Sequence, residues 1–469
     1  MSAVIESQAV TPTDTVSQQF AHFAVGFDLA NVPAPVIEYA KLCIADSIGI
    51  GFASHAYDFA PRSLDAITAL AGTGNYPVIG TRLRLPPRDA ALLNGLLIHG
   101  LDFDDTHSGA VVHCSTSAVP LMLAEGARRN ASGAQALAAY LLAIETDARI
   151  GQLAEGSFQK IGFHPTGLVG IFGCTVAAGY LGGLTDAQIA RSQGIALSMA
   201  SGSLEFLEDG AWTKRMHPGW AASSAITATA LASEDFVAPL NAYEGRYGLF
   251  NLYLRKQPDQ LARIADDLGE QWEMMKIAIK PYPVCHFNHG CIDSMLELMK
   301  AHDLKPDDIK LATALLHEKQ HDVVCIPEAS KRRPRNDYDA KFSVHFALAA
   351  AAVRGRFTLA ELEDDALNDP AILALCDRIT FRHNPDSRYP QYYSGGLVIE
   401  TQDGRTLEHL EPENRGADTR PLTHDDVRRK FDGNVERSLS NSQAERLWNA
   451  ILALDTAENL DELNEAISV

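Results

Sequence analysis

Residues 91–107 read ALLNGLLIHGLDFDDTH. The first eight, Ala91 to Ile98, carry a single polar side chain, Asn94, in an otherwise apolar or glycine run that reads as a buried helix. The last nine, His99 to His107, hold two histidines and three aspartates. Ionised carboxylates beside buried apolar surface are costly unless paired, hydrogen-bonded or at work. The segment is therefore a metal site, a catalytic cluster or a structural network at the end of a core helix.

Outward from this run the pattern stays helical from about residue 15 to 265. Pro33-Ala34-Pro35 leads VIEYAKLCIADSIGIGFASH, and Ser132 and Thr185 stand as N-cap candidates before Ala-rich apolar faces. Alanine and glycine dominate 164–183 and 219–232, as in closely packed central helices. There is no βαβ alternation and no repeat. Near residue 270 the texture changes. MMKIAIKPYPV, KLATALLHE, Ile379–Arg382 and GGLVIETQDGRTLEHL read as strands, the last a hairpin turning at Asp403-Gly404. Helical patterns return after residue 405. The expected fold is mainly α: a lead-in over 1–15, a helical domain over 16–267 plus 406–469, and an inserted α+β lid domain over 268–405. A pocket between the two is the default site.

The chain has 469 residues, 46% of them apolar, enough for two domains with large cores. Asp+Glu number 60 against 40 Lys+Arg, a formal charge of −20, which argues against nucleic acid or an anionic membrane as partner. A pocket can still be locally basic. Seven scattered cysteines fit reduced thiols in a cytoplasmic protein better than a disulfide framework. The N-terminus has no basic start and no apolar core of a signal peptide, and no apolar stretch reaches membrane-spanning length.

Four constellations could carry chemistry. In HGLDFDDTH a metal reading takes His99, Asp102 and His107, but the spacing does not place ligands on one helical face. The bland reading has Asp104 and Asp105 holding a turn through backbone N–H groups, with Asp102 and His107 left for substrate. His113 follows, beside a new helix start at Ser115 and Thr116. In FHPTG, His164 precedes Pro165 and a Gly/Ala-rich helix, as a cap or as an acid/base group. In TKRMHPGW, Lys214, Arg215 and His217 form a basic loop before Pro218 and a buried helix, a receiver for carboxylate. In KPYPVCHFNHGC, Cys285, His286, His289 and Cys291 invite zinc, but the spacing matches no finger or ribbon, and Lys280 reads better as a base or an anion clamp. No Walker A, GxGxxG or GxSxG motif supports a nucleotide or an acyl-transfer elbow.

Together NGLLIHGLDFDDTH, FHPTGLVGIFG, TKRMHPGWAA, KPYPVCHFNH and DAKFSVHFALA resemble the MmgE/PrpD family, in order over about residues 20–440. That family includes 2-methylcitrate dehydratase, cis-aconitate decarboxylase and iminodisuccinate epimerase. The resemblance implies a helical domain with an α+β lid, a homodimer and no required cofactor. The decarboxylase pattern places site groups at Asp102, Thr106, His113, His164, Lys214 and Lys280. Two departures weigh against decarboxylation. Cys285 stands where the decarboxylase has a histidine, with His286 one residue later, and Tyr338 is only a neighbour of the expected tyrosine position.

The reading that follows is a cofactor-independent, metal-free lyase that shifts a proton next to a carboxylate of a small di- or tricarboxylic acid, 2-methylcitrate dehydratase-like. The alternatives are a dicarboxylate epimerase, a cis-aconitate-type decarboxylase, or a non-catalytic carboxylate-binding protein on the same scaffold. His113 and His164 are the acid/base candidates. Asp102 orients, Lys214 and Lys280 hold carboxylate, and Thr106, His107, Arg215 and His286 contact substrate.

Overall fold

The computed structural model describes residues 14–469. All of the expected lead-in but Asp14 and Thr15 lies outside the described residues, and Thr15 caps the first helix, Val16–Val25. The chain is mainly helical, as its sequence pattern predicts.

The first core is built from helices whose small residues let backbones approach. Gly133–Leu153, capped by Ser132, and Pro165–Leu181 pack together, and residues 165–179 are buried on every face. Pro87–Ile98 lies against Thr213–Ser233, where a Cβ on Gly219 would come within 2.1 Å of the Leu92 carbonyl oxygen. Helix His424–Val435, after the sheet, packs on Ala34–Ala53. The apolar core of these helices takes in Ile277 and Ile279 and resumes at Leu422. A second core starts at Tyr282 and ends at Ile399. It lies under a four-stranded sheet, ordered Ile379–His383, Ile309–Leu316, Gly395–Thr401, Thr406–Glu411. The first pair is parallel and the others antiparallel, with Gly404 at φ +88° in the expected hairpin turn.

Three local expectations are corrected. MMKIAIKPYPV is not a long strand: Glu273–Lys276 is a 3-10 turn, and only Ile277–Ala278 is extended, pairing with Thr106–His107. The sheet runs past residue 405, which sits in its last turn, so the core changes hands at 279–282 and 411–422. Lys214 and Arg215 are not in a loop. They lie in the first turn of Thr213–Ser233, which accommodates Pro218 internally.

Candidate active site

The Pro87–Ile98 helix ends at His99, and the chain then turns through Asp102 at φ +54°, a left-handed conformation that costs a residue with a Cβ about 1 kcal/mol. The turn puts three aspartates into three environments. Asp105 accepts from the backbone N–H of Ser115 at 3.3 Å and from its hydroxyl, tying the turn to the next helix. Asp104 does not hold a turn, contrary to the bland reading. Its Oδ2 lies 2.6 Å from His113 Nδ1 and 3.1 Å from His99 Nδ1. Asp102 points elsewhere. Its Oδ1 accepts from Lys214 Nζ at 2.8 Å and from Lys280 Nζ at 3.1 Å, while Lys280 also donates to the Asp102 backbone carbonyl.

Each cation is placed by its element. The Ile277–Ala278 strand pairs with Thr106–His107, so Lys280, two residues on, returns to Asp102. Lys214 reaches it because Gly95 and Gly219 bring the two helices into backbone contact. Arg215 donates from Nε to the Gly100 carbonyl at 2.7 Å and stacks its guanidinium 4.4 Å from the Phe59 ring.

Charge states follow from these contacts. Burial opposes ionisation of Asp102, yet Lys214 and Lys280 hold it well below the usual carboxylate range. Burial likewise opposes Asp104, which the His99 and His113 charges pull well down. Burial pushes His113 down to about 4, against the pull of Asp104. At neutral pH His113 is thus a neutral imidazole whose Nδ1 faces the Asp104 carboxylate. Its Nε2 lone pair is left free, 3.9 Å from Asp102 Oδ1. That is the arrangement of a general base with an orienting carboxylate.

The other expected residues divide. His164 stacks on His99 at 5.4 Å between ring centroids, and its Nδ1 lies 3.0 Å from Nδ1 of His217. It occupies the N-cap position of Pro165–Leu181 but makes no cap bond. Burial and the charge of His99 hold it well below the ordinary imidazole range. Asn414 Oδ1 accepts from the Tyr393 N–H, so its Nδ2 donates to His286 Nε2 at 3.0 Å. His286 therefore carries its proton on Nδ1 and donates to Thr106 Oγ1 at 3.0 Å, which frees the Thr106 hydroxyl proton for a ligand. His107 has no free nitrogen for substrate, because Nε2 meets Glu273 at 2.9 Å and Nδ1 accepts from the Ala110 N–H. It is a strut between the turn and the 3-10 segment. A zinc set over Cys285–Cys291 is also lost, since His286 is engaged as above and His289 Nε2 bonds the Val284 carbonyl. The trio that gathers potential ligand atoms, within 4.8 Å, is His99, Asp104 and His113, not His99, Asp102 and His107. Within it the Asp104 oxygen lies 2.6 Å from one imidazole and 3.1 Å from the other.

Sequence reasoning missed Asp104 as a bridge, the pairing of His217 with His164, and Asn414. It also missed Lys430, which bonds the Phe103 carbonyl and buried Asp46. A cavity of about 760 Å³ lies behind this segment, lined by Tyr57, Phe103, Tyr282, Arg415 and Lys430. Asp102, His113, Lys214 and Lys280 do not line it, so the chemistry and not the volume marks the site.

Family models for the MmgE/PrpD N-terminal domain and C-terminal domain match residues 18–262 and 282–456. The chain belongs to the MmgE/PrpD family. Among relatives of this MmgE/PrpD protein, a cis-aconitate decarboxylase-like protein, oryM, of Aspergillus oryzae is 26% identical, covering 98% of both chains. The cis-aconitate decarboxylase of Homo sapiens is 25% identical over 96% of this chain and 94% of its own. The 2-methylcitrate dehydratase of Escherichia coli is 25% identical over 84% of this chain and 83% of its own. The expected assignment to MmgE/PrpD-type lyases holds at the level of the family, whose C-terminal model starts at residue 282, where the second core begins.

Proposed function

We propose that this MmgE/PrpD protein is a cofactor-independent lyase that moves a proton at a carbon next to a carboxylate of a small di- or tricarboxylic acid. The observation that carries the reading is His113, backed by Asp104 at 2.6 Å with its other nitrogen turned to the Asp102–Lys214–Lys280 cluster. In this reading His113 Nε2 takes the proton from carbon. The electron pair spreads into the adjacent carboxylate, whose charge Lys214 and Lys280 stabilise, with Asp102 keeping both ammonium groups charged and in place. In dehydration the β C–O bond then breaks, and the departing hydroxide takes a proton from the His113 imidazolium or from water. 2-Methylcitrate-type dehydration is the first reaction to assay.

Decarboxylation of a cis-aconitate-like acid is the second reading, and two observations favour it. His286 sits at Thr106 despite its one-residue shift, and the Tyr338 ring lies 5.6 Å from the Arg215 guanidinium. Both departures from the decarboxylase pattern shrink accordingly. Epimerisation stays as the variant in which the proton returns to the opposite face.

Incubation with 2-methylcitrate, cis-aconitate and iminodisuccinate, followed by mass spectrometry, separates the three. Loss of water or of carbon dioxide changes the product mass, and epimerisation alters chirality alone. On the active substrate His113→Ala lowers turnover by about 100-fold or more, and Lys214→Ala raises KM. Full turnover by both variants, with unchanged circular dichroism, overturns the site.

The same reading makes residues 268–405, as extended to the end of the sheet, a lid over the lysine cluster. It places the chain in a reducing cytoplasm, in keeping with seven unpaired cysteines, and as a homodimer.

A further inference from the structure

Next to the lysine cluster lies a group of buried donors that the proposed reaction leaves unused. Lys341 is fully buried, and among the described residues its Nζ has no hydrogen-bond partner. The nearest carboxylate oxygen, Asp337 Oδ2, is 3.5 Å away and is itself unbonded. Arg215 uses Nε on Gly100, but its buried Nη1 has no partner, and neither has the buried hydroxyl of Tyr338.

These groups share one wall. Tyr338 and Lys341 lie in the same short helix, Asp337–Lys341. The Arg215 guanidinium lies 5.6 Å from the Tyr338 ring and 4.4 Å from Phe59, and Lys341 Nζ lies 5.7 Å from the Tyr57 ring. Tyr57 and Phe59 are stacked on each other. The position of Lys341 is fixed from the other side, where its carbonyl accepts from the Cys285 N–H at 2.9 Å and from the Asn288 amide, in the loop that follows Lys280. The charges of Asp337, Arg215 and Asp102 all act on it.

A buried ammonium, guanidinium and phenol with unused donors cost stability unless an acceptor arrives. Two cations against one carboxylate, Asp337, leave room for a further negative charge. A planar carboxylate suits an arginine edge, a lysine and a hydroxyl together. We propose that Lys341, with Arg215 Nη1 and the Tyr338 hydroxyl, receives a second carboxylate of the substrate, remote from the one held at Lys214 and Lys280. The inference rests on the carboxylic-acid reading above and deepens it: this subsite selects di- and tricarboxylates over monocarboxylates.

The test is titration of the full-length wild type, Lys341→Met and Tyr338→Phe with cis-aconitate, citrate and 2-methylcitrate, and with crotonate as a probe carrying one carboxylate. Lys341→Met is expected to weaken binding of the polycarboxylates by roughly 30-fold, the worth of a hydrogen bond to a charged group, and to leave crotonate within about threefold. Tyr338→Phe, which removes one hydroxyl and keeps the packing, is expected to do the same by about fivefold, and decides the matter if Lys341→Met does not fold. Polycarboxylate binding unchanged in the variants overturns the subsite and leaves the parent reading standing. An equal loss for crotonate overturns it too, because Lys341 then supports the fold and not the second carboxylate. Wild type that binds none of the four acids overturns the parent reading and the subsite with it.

Discussion

In the proposed reaction His113 is only as good a base as Asp104 makes it. Asp104 has no exposure to solvent and one oxygen shared by two imidazoles, so its work is to fix the His113 tautomer and aim Nε2 at the cluster. Asp104→Asn presents an amide of the same size that cannot act as a charged acceptor. Turnover is expected to fall by about 100-fold or more with KM changed little, since Asp104 meets no substrate. The acid limb of the kcat profile should also move. Burial sets His113 at about 4 and Asp104 raises it. Removing that carboxylate lowers the limb, whereas a purely structural role would leave it in place. Steady-state kinetics across acid pH decide this. The sequence made the cluster visible through three aspartates beside an apolar run, and Asp102 reads correctly from it. Asp104 did not, because its partner lies nine residues on, beyond a reversal that pairs His107 with Val112. Local spacing cannot show such a return. The pairing of His217 with His164 was hidden similarly, as the two stand 53 residues apart.

At the scale of elements the site depends on two helices touching backbone to backbone. A Cβ on Gly219 would sit 2.1 Å from the Leu92 carbonyl oxygen, and one on Gly95 would sit 2.4 Å from the Gly219 Cα. Neither neighbour is a flexible side chain, so the helices must part. Gly219→Ala is expected to destabilise the protein by about 2 kcal/mol, read as a lower urea midpoint. It should also cut turnover, because Lys214, five residues earlier on the same helix, loses its 2.8 Å contact with Asp102. A lower midpoint with full turnover would show that the close approach serves stability alone. The close packing of Gly/Ala helices was legible from composition. The start of this helix was not: Pro218-Gly219 reads as a beginning, yet helical structure starts at Thr213. A proline inside the helix gives up one backbone bond, which the hydrogen bonds of Lys214 to Asp102 and of Arg215 to the Gly100 carbonyl offset. The opposite error befell 274–284, where alternation reads as a strand. With only two residues, Ile277 and Ala278, finding a partner strand, the remainder turns to cover the site.

For the whole molecule two expectations follow from what is exposed and what is buried. Trp212, Met216 and Trp220 are each more than 40% exposed near the start of one helix, with Phe236 and Val237 exposed just beyond its end. Trp212, Met216 and Trp220 recur every four residues, and such a row of exposed large apolar side chains marks an interface, with a homodimer the occupant the proposed function calls for. Trp220→Glu should turn a dimer into a monomer by light scattering after gel filtration, and a monomeric wild type would refute it. The buried groups set the pH dependence. His113, His217 and His345 fall to about 4, with burial first among the causes, and burial drives His164, His286 and His289 well below 6.5. All six bind protons in the unfolded chain that the folded chain refuses, so each makes stability rise with pH between about 4 and 6.5. Burial raises Asp46 to about 6, Asp105 and Glu145 to about 7, and Asp147 well up. These four hold protons that the unfolded chain releases, so each makes stability fall as pH climbs from about 4 through its folded value. Burial also lowers His55 and His317 and raises Asp293, so eight histidines stand against five acids and the unfolded state holds more protons near pH 5.5, which makes stability rise with pH there. Below pH 4 the paired Asp102 and Asp104, and Glu273 at about 2, add losses of the same sign as they protonate. Melting temperature should therefore climb from pH 4.5 to 6.5, and Asp105→Asn should steepen that climb by removing one opposing proton. A melting temperature that falls over this range would mean that the raised carboxylates outweigh the buried histidines, and would overturn this balance.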